Sequence, residues 1–275
     1  MAPDELDPAR EVYPRAPLQL VACEVAYYLA PGADAGAARD ALYGQLSHAY
    51  PLPGPSPASL TVEVGPAGAV THAEQGFRFL DLERTRSVAV SPASIVVETS
   101  RYHRFEDFLE RVAEAVAGLG SVVRVAATSR IGLRYIDEVP VTDLPSGSFD
   151  GYFTESVLAP GRPVPDVGKP TEFLTTSRFA VGPDRNTVMR TGVLMTPVVA
   201  SDGPLAIPRP ATPPFFLIDI DSAWQAGPAT RPLPFDPSAI KEVLHSLHAP
   251  VRALFEQSIT DKLRDDVLRK EETPA

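Results

Sequence analysis

In the stretch FFLIDIDSAW, residues 215–224, Asp219 and Asp221 alternate with Ile218 and Ile220. On a β-strand that alternation puts Phe216, Ile218 and Ile220 on one face and Leu217, Asp219 and Asp221 on the other. Two carboxylates on one strand face can share a hard cation such as Mg²⁺. Such a pair would serve a metal-dependent phosphoryl or nucleotide hydrolase, with Arg130 or Arg134 clamping the charge that develops during reaction. The competing chemistry is electrostatic. The same acids can face water or pair with arginines on neighbouring strands, and Arg101, Arg130, Arg134 and Arg178 are the strand-borne partners. A cation site needs further acids or a phosphate-binding loop, and the sequence has neither a Walker-type GK[ST] nor a second acidic cluster. Arginine pairing is the favoured reading, with the metal hydrolase as its alternative.

Other candidates are sparser. Thr-Ser-Arg occurs at 99–101, 128–130 and 176–178, each beside a β segment. Arg101, Arg130 and Arg178 could thereby form a polar floor for an anionic ligand, although short matches recur by chance. His245 and His248 stand three apart on a helix, with Glu242 as a further potential zinc ligand. Without a His-Glu-x-x-His arrangement, a solvated helix flank is the simpler expectation. No Gly-x-Ser-x-Gly elbow is present, and Cys23 sits in an apolar run where cysteine acts as a small hydrophobe. No metal and no cofactor is expected.

The bulk composition narrows the partners. The 275 residues carry a formal net charge of −10, a field that opposes nucleic acid and anionic membranes. No apolar run is long enough to span a bilayer. With one cysteine there is no intrachain disulfide and no cysteine metal cluster. The start, MAPDELDPAREVYPR, lacks the basic and apolar regions of a secretory signal, so a cytoplasmic protein is expected.

The elements that must position these residues follow from periodicity and breakers. Residues 1–16 read as a flexible lead-in. Strand 18–29 is followed by a helix over 34–50 with Asp34 as its N-cap, then a proline-rich linker at 51–59. Strands are expected at 60–64, 76–85 and 87–103. Phe105, Phe108, Leu109, Val112, Val116 and Leu119 recur at helical spacing over 104–120, with Gly120 suited to the position just past the helix end. The second half repeats the order: strand 130–139, with Gly132 at a close backbone approach; a Pro/Gly-rich region; a meander of 171–182, 186–197 and 215–224; then a long helix opened by Asp236-Pro237. Pro250 should kink or split that helix. The prediction is an α+β protein with an internal duplication of a strand–helix–antiparallel meander–helix unit. Its halves are 17–127 and 128–275.

With IVVETSRYHRFEDFLERV followed by SRIGLRYIDEV, and with IDIDSAW and FEQSITDKLRDDVL in the C-terminal half, the chain resembles a sporadically distributed family of uncharacterised prokaryotic proteins of about this length. That resemblance implies a soluble bacterial protein in an accessory, defence-associated or mobile-element setting. It implies no catalytic residue and no cofactor. The functional expectation is a non-catalytic binding or assembly module. A homodimer or a protein partner is expected through the apolar stripe of the C-terminal helix around 251–270.

Overall fold

A computed structural model describes residues 11–55, 58–65, 68–228 and 230–270, with backbone alone over 58–65 and 68–75. Residues 1–10 of the expected lead-in lie outside the described residues. The centre of the molecule is a nine-stranded antiparallel sheet in the order β2-β5-β6-β7-β1-β8-β11-β10-β9. Its long strands are β1 (Leu18–Leu29), β8 (Val125–Pro140), β10 (Arg185–Leu194) and β11 (Phe215–Gln225). β2 (Leu52–Gly54), β5 (Phe77–Leu80), β6 (Arg86–Val90) and β7 (Ser94–Thr99) lie to one side, and β9 (Phe173–Ala180) forms the far edge. A separate hairpin joins β3 (Ala58–Gly65) to β4 (Gly68–Gln75).

The two halves share part of their element order, although β2, β3 and β4 of the first have no counterpart in the second. In the first, β1 is followed by the meander β5-β6-β7 and by helix α2 (Phe105–Val122). In the second, β8 is followed by β9-β10-β11 and by helix α4 (Pro237–Ser258). β7 lies beside β1 and β11 beside β8, while β1 and β8 pair antiparallel at the centre. The halves share this one sheet and one continuous apolar core. β8 starts at Val125, so the expected division between 127 and 128 falls inside a strand. Where the first half has α1 (Arg39–Leu46), the second has only the four-residue α3 (Glu155–Leu158).

Strand alternation gives the sheet two unlike faces. Val21, Cys23 and Val25 of β1 stand level with Tyr135, Leu133 and Ile131 of β8. Those last three stand level with Ile220, Ser222 and Trp224 of β11. All nine are buried, under α1, α2 and α4. The opposite face carries the charged residues. One end of it is covered by the proline-rich excursion after β10, where Val199 and Ala211 pack on Ile136, Phe215 and Leu217.

Local chemistry explains the helices. The Asp236 carboxylate accepts from the backbone N–H of Ser238 (2.9 Å) and Ala239 (3.0 Å), and Pro237 needs no donor there. α4 runs on through Pro250 and breaks instead at Ile259, which is extended. The chain then folds back so that Leu263, Val267 and Leu268 are buried, while Arg264 reaches Tyr13 and Glu256. The apolar stripe expected to meet a partner is therefore covered by its own chain: no large apolar side chain from 237 to 268 is exposed. α2 also outruns its expected end, because Gly120 lies inside it against the Phe235 ring, and the helix stops at Val123 in extended conformation. The expected helix 34–50 is shorter, a 3-10 turn at 36–38 followed by α1, with the Asp34 carboxylate accepting from the Gly36 N–H.

Candidate functional site

The two aspartates of the opening stretch sit on the helix-free face, as alternation requires, and the structure gives them counter-charges. Asp219 is 1% exposed. Arg134 of β8 donates to it through two nitrogens, Nε to Oδ1 at 2.7 Å and Nη2 to Oδ2 at 2.9 Å, while Arg190 of β10 donates to Oδ2 at 3.0 Å. The register that sets Arg190 opposite Asp219 fixes this fork-like geometry. Asp221 lies 3.9 Å from Arg130, which also binds Glu24 of β1. Gly132 makes this reach possible, since a Cβ there would stand 2.7 Å from the Arg130 guanidinium. Three guanidiniums (Arg130, Arg134, Arg190) thus face three carboxylates (Glu24, Asp219, Asp221). Asp219 is sealed rather than hydrated, and both of its oxygens are occupied by N–H donors that a cation would have to displace. Among the described residues no group of three or more His, Cys, Asp or Glu could hold a metal.

The remaining sequence candidates do not converge. Arg101 pairs with Glu83 at the surface. Arg178 lies exposed on the edge strand β9. The three Thr-Ser-Arg arginines therefore form no common floor. His245 is exposed. His248, expected on a solvated flank, is stacked on Phe105 with ring centroids 3.9 Å apart and planes within 3°. Burial lowers its pKa from 6.5 to about 4, so the ring is neutral at physiological pH. Burial raises the thiol of Cys23, which is inert in the core.

On the helix side of the sheet the situation is reversed. A cavity of about 610 Å³ opens between the start of α2, the middle of α4, residues 11–18, and strands β8 and β11. Its walls combine aromatic and apolar side chains with charged ones, among them Arg104, Glu106 and Arg252. Tyr102 and Tyr135 meet edge to face at 5.5 Å with their hydroxyls 3.0 Å apart, and Phe105, Tyr13 and Phe255 also line it. Among the acids that line it, Asp137 of β8 is the most deeply buried, 5% exposed. Asp137 shares the inward parity of Ile131, Leu133 and Tyr135, and it stands level with Ile218. No hydrogen bond or ion pair engages its carboxyl among the described residues.

An unpaired buried carboxylate is costly, so the group keeps its proton. Burial, then the charges of Asp219 and Glu138, push Asp137 from 3.8 up to about 8. Its neighbour Glu138 shows the ordinary solution. It points to the other face, where the backbone N–H groups of Val198 (2.7 Å) and Val199 (3.3 Å) donate to it. The arrangement around Asp137 matches a ligand pocket, an open cavity with an aromatic wall and an uncommitted carboxyl on its floor. The sequence does carry a signal for it: Asp137 is the one acid at an inward position of RIGLRYID. Tyr102, just before α2, and Tyr135 with Asp137, from β8, meet at this cavity.

Two outcomes test these assignments. Arg134→Ala leaves the sealed Asp219 with Arg190 alone and should cost about 2–4 kcal/mol in urea unfolding. A loss below about 0.5 kcal/mol would show that the pair is not structural. For Asp137, the folded protein holds its proton up to about pH 8, the unfolded chain only up to an ordinary 3.8. Stability therefore falls as pH rises between those values. His248 acts oppositely between about 4 and 6.5, where the unfolded chain binds the extra proton. The window above 6.5 isolates Asp137, and wild-type stability should drop by about 2 kcal/mol from pH 6.5 to 8. Asp137→Asn should flatten that slope. No protein-family model and no curated protein matches this chain.

Proposed function

We propose that the protein is a binding module for a small ligand, received in the cavity above Asp137, and that it belongs with the prokaryotic group it resembles. The observation that carries the reading is a carboxyl group buried without a partner at the wall of an aromatic cavity. That carboxyl faces the open cavity, where a ligand can reach it. The charged face does not compete for this role, since its acids and arginines already neutralise one another. On this reading, the metal hydrolase built on Asp219 and Asp221 loses its motivation. The element order that the two halves share supports their origin by duplication of one unit, with the cavity as a later specialisation of the β8 side.

A second, compatible reading is self-association as a cytoplasmic homodimer, now through β9 rather than the C-terminal helix. β9 is an edge strand with one neighbour, and Leu174 and Phe179 are exposed on it. Exposed apolar edges invite pairing. Light scattering should show a dimer that the double change Leu174→Lys, Phe179→Lys returns to monomer. A wild-type protein monomeric at all concentrations removes this reading.

The cavity itself is tested by screening small aromatic fragments with ligand-observed NMR. Hits are expected, and Val251→Trp, which fills the cavity from α4, should abolish them. Fragments that bind wild type and variant equally, or no hits at all, would overturn the reading.

A further inference from the structure

We propose that the cavity selects a small organic cation, an amidinium or ammonium group seated on the Asp137 carboxylate with its carbon skeleton among the tyrosine and phenylalanine rings. This rests on the cavity being the binding site, and it names the chemistry of the ligand. Three observations carry it. First, the charges acting on Asp137 are those of Asp219 and Glu138, both acids. The ionised Asp137 carboxylate itself would repel an anion, and a neutral ligand would leave its charge unpaired. Secondly, two of the other acids lining the cavity have partners, and the third, Glu106, is exposed to water. Glu256 accepts from Tyr13 and Arg264, and Glu11 binds Arg269. Asp137 is left as the uncommitted carboxyl of the interior. Thirdly, Tyr102, Tyr135 and Phe105 present aromatic surface around it, and ring faces attract cations, most strongly where water is excluded.

The remaining ionisable groups facing the cavity do not supply the missing counter-charge. His248 on α4 is neutral. Arg252, also on α4, donates to the backbone carbonyl of Glu11 at 3.0 Å. His103, Arg104 and Glu106 enter from the approach to α2 and its first turn, and none of them acts on Asp137. Binding then has a fixed proton balance. An incoming amidinium keeps its charge, the Asp137 carboxyl gives its proton to solvent, and a two-pronged N–H to carboxylate contact forms.

The probe is benzamidinium, with benzamide as its neutral isostere and benzoate as its anionic one, titrated calorimetrically into the full chain at pH 6.5 and pH 9. Benzamidinium should bind about tenfold or more tightly than benzamide, and benzoate should not bind. Its affinity should rise about thirty-fold between the two pH values, as Asp137 becomes ionised, with a proton released to buffer at pH 6.5. Asp137→Asn, checked for an unchanged circular dichroism spectrum, should lose both the affinity and the pH dependence. Equal binding of benzamide or benzoate, a flat pH profile, or an unaltered Asp137→Asn variant overturns the inference. If other fragments occupy the cavity while benzamidinium does not, the cation falls and the binding site stands. If no fragment binds, both fall.

Discussion

A carboxylate withdrawn from water must be given a counter-charge, a set of N–H donors, or a proton. This protein shows all three solutions within two adjacent strands. Asp219 is closed in by Arg134 and Arg190. Glu138 is held by two backbone amides. Asp137 has neither and keeps its proton, at the wall of a cavity. The distinction between structure and site in this molecule follows from that difference in compensation rather than from residue type.

The sheet produces the difference. β8 lies between β1 and β11 and alternates its side chains between a face covered by helices and a face covered by ion pairs and the proline-rich excursion. Glu138 and Asp219 point to the second face, where guanidiniums and free amides are within reach. Asp137, one residue from Glu138, points to the first, where α2 and α4 offer aromatic rings and a neutral imidazole. The return of the chain after Ile259 seals the far end of α4 and places Arg264 against Tyr13 at the cavity's edge. Part of the apolar stripe of the C-terminal region thereby shapes a pocket wall.

Much of this was legible in the sequence. Periodicity located the long strands, the meander of the second half and both long helices, but missed β2 and β4 and joined β6 to β7, while the parity of FFLIDIDSAW put Asp219 and Asp221 on one face. Charge offered four arginines as partners for the two aspartates, and Arg134 and Arg130 are the two of them that the sheet brings there. Arg190 was missed because its register against Asp219 depends on strand pairing, a long-range property. Asp137 was missed for a related reason. Its parity on the strand is local, but the cavity beside it forms between elements far apart in the chain, which periodicity does not reveal. The run of α2 through Gly120 and of α4 through Pro250 shows tertiary packing overriding local breakers.

The central claim is that Asp137 is a protonated, unpartnered carboxyl in the ligand-free protein. A ¹³C NMR titration of the aspartate side-chain carboxyls, with Asp137 assigned by its disappearance in Asp137→Asn, measures this directly. The account predicts a midpoint close to 8 for that signal. A midpoint near the ordinary 3.8 would mean that the group is ionised and already compensated, and the cavity would lose its claim to be a site.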